Sequence, residues 1–234
     1  MKRVNKKTLK NLTSLMLICF VSSLAFFVVT NGMDLFLKEP KLRSIVCSLL
    51  FSADMLFLVL FMSCVYGIRA LHEDFGTVWL LLFFRILLIF GGMVMSELKH
   101  LSELSAWSGM MQSCSYLMEY AALLCFVIAY KVMIGGFAQL LEKTGMEKQA
   151  ANYRKGSIMY LSIGISAVMF CVATVFVPAE GRSRIIAGIL KTAAMVMRLI
   201  VILLNMPIFF ALRDAIGNIW RNRVERAQEG RRIR

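Results

Sequence analysis

Little in this chain is suited to catalysis. It has two histidines, His72 and His100. They fall in different connecting segments and neither belongs to an HExxH pair, so no histidine metal centre is expected. The GxSxG turn of a serine nucleophile is absent, and so are the paired aspartates of an intramembrane protease. Leu190, Lys191 and Thr192 have the end of a phosphate loop in outline but lack the glycine before the lysine. Cysteine is present six times, as Cys19, Cys47, Cys64, Cys114, Cys125 and Cys171, without a CxxC spacing or a neighbouring histidine. Those thiols read as small apolar packing residues, which leaves no disulfide framework and no metal site. No cofactor is implied, and an enzymatic role has no motif behind it.

Polar composition is equally thin. Hydrophobic residues make up 59% of the 234 and only 3 are proline, with a mean hydropathy of +0.72; a soluble core does not require so much apolar surface. Several runs approach the ~20 apolar residues that cross ~30 Å of hydrocarbon as a helix. Spans are expected near 11–33, 44–68, 77–97, 107–131, 157–178 and 185–212. The fold class is therefore all-α, a polytopic six-helix membrane bundle in one domain over 1–213, followed by a tail over 214–234. The run LTSLMLICFVSSLAFFVVTN is longer than the ~7–15-residue core of a signal peptide and lacks a clear cleavage site, so it reads as a retained helix.

Acidic residues are few, 14 against 27 basic, for a net charge of +13. In a soluble protein that surplus points to nucleic acid; here its placement gives another meaning. With the N-terminus inside, Lys2, Arg3, Lys6, Lys7, Lys10, Arg69, Lys131, Lys143, Lys148, Arg154, Lys155 and the seven arginines from Arg213 onward are cytoplasmic, 18 in all. Lys38, Lys41, Arg43, Lys99, Arg182 and Arg184, 6 residues, lie outside. Basic residues beside a span resist translocation, so both termini are expected inside a cell membrane crossed six times. The tail has too few stacking aromatics for nucleic acid to be its partner.

Asp54, Arg85, Glu119, Lys191 and Arg198 fall within spans. Ionisable groups at that depth face a bundle interior or a wet cavity and are functional candidates. In IIAGILKTAAMVMRLIVILLNMP, two cations cost ~5–7 kcal/mol to insert while eleven Leu, Ile and Val return ~3–7. That helix is near break-even, which predicts counter-charges from its neighbours and burial within the bundle. Glu119 is the best-placed acid for Arg198, and Asp54 is a candidate for Arg85 or Lys191. Lys191, Arg198 and Asn205 recur every seven residues and share one stripe; Ser108, Gln112, Ser115 and Glu119 form another on the fourth span. Two readings follow. The stripes line a polar, cation-rich cleft for a solute with an anionic group, with Arg85, Glu119, Lys191, Arg198, Asn205, Asp54 and Gln112 as binding residues. Otherwise they form a closed network that fixes helix register.

Two further segments suggest protein partners. GGFAQLLEKTGMEKQAANYRKG reads as two short helical pieces broken at Gly145, with Phe137, Leu140 and Leu141 on an apolar face inside a ring of cations. In the tail, Ile216, Trp220, Val224 and Ala227 share one helical face, as in a basic helix lying on the membrane surface. The partners expected are thus the lipid bilayer, a small anionic solute, and a cytoplasmic or membrane protein met through 136–156 and 214–234. The leading function is a small-solute transporter or transporter component; the alternative is a non-catalytic scaffold or accessory subunit.

Overall fold

The computed structural model describes residues 40–69, 71–98, 107–143, 145–177 and 185–204, with scattered positions between 11 and 29 and at 210, 213 and 217. Five helices result: α1 (Pro40–Ile68), α2 (Asp74–Leu98), α3 (Ser108–Glu142), α4 (Glu147–Phe176) and α5 (Ile185–Leu204). Among the described residues there is no strand. All five are long and apolar enough to cross a membrane, and they correspond to the second to sixth expected spans. The first expected span is described only at separate positions between 11 and 29, all of them helical.

Local chemistry sets the ends. Proline opens α1, where its fixed φ suits a first helical turn and its missing N–H costs nothing. At the α1–α2 turn the His72 Nδ1 accepts a hydrogen bond from the Asp74 N–H (3.2 Å), capping α2, and Asp74 puts negative charge in its first turn. The end of α3 is a paired C-terminal motif: Met146 N–H donates to the Leu141 carbonyl (3.1 Å) and Gly145 N–H to that of Glu142 (2.9 Å). This motif needs a left-handed residue, and Gly145 supplies it with φ 86°. The two short helical pieces expected over 136–156 are corrected accordingly. Residues up to Glu142 continue α3 and residues from Glu147 begin α4, with Gly145 in the turn between them.

α3 packs between α2 and α4. At 35 residues it is about 52 Å long at 1.5 Å per residue, well beyond a hydrocarbon layer. Glycines mark the crossings, as expected where small residues let membrane helices approach. A Cβ at Gly92 would stand 3.3 Å from the Ser115 carbonyl, one at Gly136 3.3 Å from the Asp74 Cβ, and one at Gly164 would overlap Val127. The Ser162, Gly164, Ser166, Ala167 set therefore divides: Gly164 and Ala167 are buried, whereas both serines are exposed and donate to carbonyls one turn back.

Part of the buried core lies at the end of the bundle carrying the two turns. There Ile68, Phe75, Met133, Phe137, Ala138, Leu141 and Ala150 are buried together, with Phe75 and Phe137 ring centroids 5.0 Å apart. Phe137, Leu140 and Leu141, expected as the apolar face of a surface connector or docking element, are sealed inside the chain. The opposite faces are polar, with Arg154 paired to Glu142 at 2.5 Å. Along the spans the pattern inverts: Leu49, Leu87, Phe90, Met169, Phe176 and Ile189 are exposed, an outer surface that only lipid or another apolar partner satisfies.

Candidate functional site

Three centres of intramembrane charge emerge. On α3, Glu119 lies eleven residues from the helix start, and on α5 Arg198 lies thirteen, which puts both about 17–20 Å along their helices. The expected pair is present: the Arg198 guanidinium donates through Nη2 to Glu119 Oε1 at 2.5 Å. Tyr120, Cys171 and Ala194 pack together beside it and join α3, α4 and α5. The Tyr120 hydroxyl lies 3.4 Å from that of Thr174. Unlike a sealed core pair, this one is open, with side-chain exposures of 35% for Arg198 and 46% for Glu119.

Arg85 occupies a second centre. Its guanidinium lies over the Phe126 ring, 4.0 Å from the centroid, so the electronegative ring face stands where an acid was expected. Phe126 in turn packs on Tyr130 at 4.4 Å, and Tyr130 reaches Phe61 of α1 and Tyr160 of α4. Among the described residues Arg85 has no ion-pair partner. Asp54, the expected alternative, is buried on α1 and accepts a hydrogen bond from Ser22 Oγ at 2.9 Å; it ties the first helical segment to α1 instead of neutralising Arg85 or Lys191.

These centres do not merge into one cluster, but α3 lines two of them up. Positions 119 and 126 are seven residues apart, a drift of about 20° and a rise of about 10 Å. Arg198 and Arg85 therefore meet the same α3 stripe at successive levels. Gln112, half-buried, continues the stripe one step further out. Ser115 leaves it for α2, donating to the Gly92 carbonyl at 2.8 Å. Lys191 is exposed on α5 and has no acidic partner among the described residues. Asn205, His100 and, Gly217 apart, the 214–234 tail lie outside the described residues.

One expectation about α5 is corrected. Its break-even insertion energy pointed to a helix enclosed by its neighbours, yet only 11% of its apolar window is buried, against 50% for α3. Ala194 and Val201 are its buried contacts, while Ile185, Ile189, Lys191 and Leu203 face outward. Among the described residues one ion pair and a narrow contact line hold α5, and its remaining surface carries exposed apolar side chains.

The aromatic partner of Arg85 was missed from the sequence, where Phe126 is one of 17 phenylalanines and nothing in its spacing announces a cation. Two other ring contacts of arginines, Arg69 over Tyr66 at 3.6 Å and Arg213 over Phe210 at 5.6 Å, are both exposed. Among the described residues no group of three or more histidines, cysteines or acids has metal-binding geometry.

Among the described residues, long apolar helices with an apolar exterior are compatible with an integral membrane protein. Comparison with family models, curated proteins and solved structures finds no match, so the site itself must carry any finer reading.

Proposed function

We propose that this is a cell-membrane carrier, or the membrane component of one, for a small solute bearing an anionic group. The support is Arg85. A guanidinium about 17 Å along its helix, held by an aromatic ring and without an acid among the described residues, is a cation that a bound anion would balance at low dielectric. Arg198 stands about 10 Å further along the same α3 stripe and offers a second station. A polar stripe with two cations suits stepwise passage better than a closed structural network does, because a network of that kind would pair Arg85 internally.

The reading is tested on purified protein in non-ionic detergent, by following thermal unfolding through tryptophan fluorescence with acetate, succinate, phosphate and sulfate. At least one of these raises the Tm of the wild type by several degrees beyond a chloride control, and Arg85→Ala removes the gain. The anion that scores is then followed into proteoliposomes as a labelled solute. No anion-specific shift, with Arg85→Ala indistinguishable from wild type, sinks the reading.

A second reading, a scaffold or accessory subunit, draws on the tip of the α3–α4 hairpin. Its apolar face is sealed, so docking there would run through the exposed Lys143, Lys148 and Lys155 together with the basic tail. Removing residues 214–234 separates the two: a scaffold loses its partner in pull-down, while a carrier keeps uptake.

A further inference from the structure

We infer that Arg198 is a carboxylate-recognition residue and that Glu119 is its resident competitor, occupying the site until a solute carboxylate exchanges with it. Guanidinium presents five N–H donors in a planar fork and prefers to grip a carboxylate with two of them. Glu119 engages it through one oxygen on one nitrogen. Among the described residues no buried side-chain nitrogen lacks a hydrogen-bond partner, so the remaining Arg198 nitrogens reach open surface; the 35% exposure of the side chain agrees. At this depth hydrocarbon offers those donors nothing, which leaves water or an anion. Glu119 itself shows what fits: a carboxylate on a short flexible stem. Its 46% exposure gives it room to swing away while the buried Ala194 and Val201 keep their contacts on α5. The ligand class is therefore a small organic carboxylate, and the resident acid sets the threshold it must exceed.

This inference rests on the solute-binding reading above, yet fails separately from it. Acetate is titrated against wild type, Glu119→Ala and the double variant Glu119→Ala with Arg198→Ala, by thermal shift and isothermal calorimetry at constant ionic strength with chloride. Removing the competitor tightens acetate binding at least tenfold, and removing Arg198 as well abolishes the gain. Where Glu119→Ala does not fold without ligand, millimolar acetate in the purification buffer restores it. Glu119→Asp, which keeps the charge but shortens its reach, binds acetate with intermediate affinity. Equal affinity in wild type, Glu119→Ala and Glu119→Asp overturns the assignment, as does a Glu119→Ala protein that acetate and chloride stabilise alike. Loss of anion binding in Arg85→Ala beside an unchanged Glu119→Ala would retire this inference alone. A tenfold gain in Glu119→Ala with no uptake of any anion would retire the carrier reading alone.

Discussion

At Gly164 a single hydrogen atom decides how closely α4 approaches α3. An added methyl would overlap Val127 Cγ1, a β-branched side chain with no alternative rotamer on a helix. Gly164→Ala should lower stability by about 1–3 kcal/mol through overpacking, and Val127→Ala in the same chain should recover most of it, because the methyl then has space. Gly91 makes the contrast: its added Cβ meets the Met118 Sδ at 3.1 Å, the movable end of a flexible chain. Gly91→Ala should stay within about 0.5 kcal/mol of wild type. Thermal unfolding of the four proteins in one detergent orders them; a Gly164→Ala protein as stable as Gly91→Ala removes the crossing from the account. Small residues at three- and four-residue spacing made these contacts legible, but not which of them pack. Ser162 and Ser166 match the spacing as well as Gly164 does, and they bond their own helix instead.

Among elements, α3 changes solvent along its length, and the price of a cavity should change with it. Phe137 (1% exposed) belongs to the tip, past the expected span end at 131, and Leu82 (0%) to α2. Emptying the tip exposes apolar surface to water, so Phe137→Ala should cost about 3–5 kcal/mol. Within the span, lipid is as apolar as the interior, and Leu82→Ala forfeits packing alone; it should cost visibly less in bicelles. Equal losses would argue against a tip lying in water. The same logic explains what was legible here. Glu119 with Arg198 was readable because each sits at the same depth in its span and neither is tolerable alone. The peripheral position of α5 was not, since an apolar residue facing lipid and one facing protein look identical in sequence. Lys191→Leu should leave stability within about 0.5 kcal/mol, whereas Arg198→Leu strands Glu119 and should cost about 1–3 kcal/mol. A matched pair of unfolding curves decides it, and Lys191→Leu being the more damaging of the two would reverse the assignment of Arg198 as the residue that holds α5.

For the whole molecule, the two turns identify one end of the bundle. Gln139 Nε2 on α3 reaches Asp74 Oδ2 on α2 at 3.4 Å, and Gly136 lies against Phe75, so the α1–α2 and α3–α4 turns share a side. Which side of the membrane that is depends on charge. Lys143, Lys148, Arg154 and Lys155 cluster at this end and are exposed, with Arg69 beside them, whereas the opposite end of α2 carries an exposed Glu97. Basic residues beside a span resist translocation, so the expected orientation turns this end inward. Lys143→Cys should therefore resist a membrane-impermeant maleimide in intact cells and react once the membrane is opened, while Glu97→Cys should react in both. Cys47, Cys64, Cys114, Cys125 and Cys171 lie within helices, and a variant lacking all six cysteines gives a clean background. Labelling of Lys143→Cys from outside would invert the orientation and, under the proposed carrier function, the order in which an anion would meet Arg198 and Arg85. In the expected orientation Arg198 lies on the outer side of Arg85, and under the proposed carrier function a solute from outside would meet the Glu119 pair before the ring-held guanidinium.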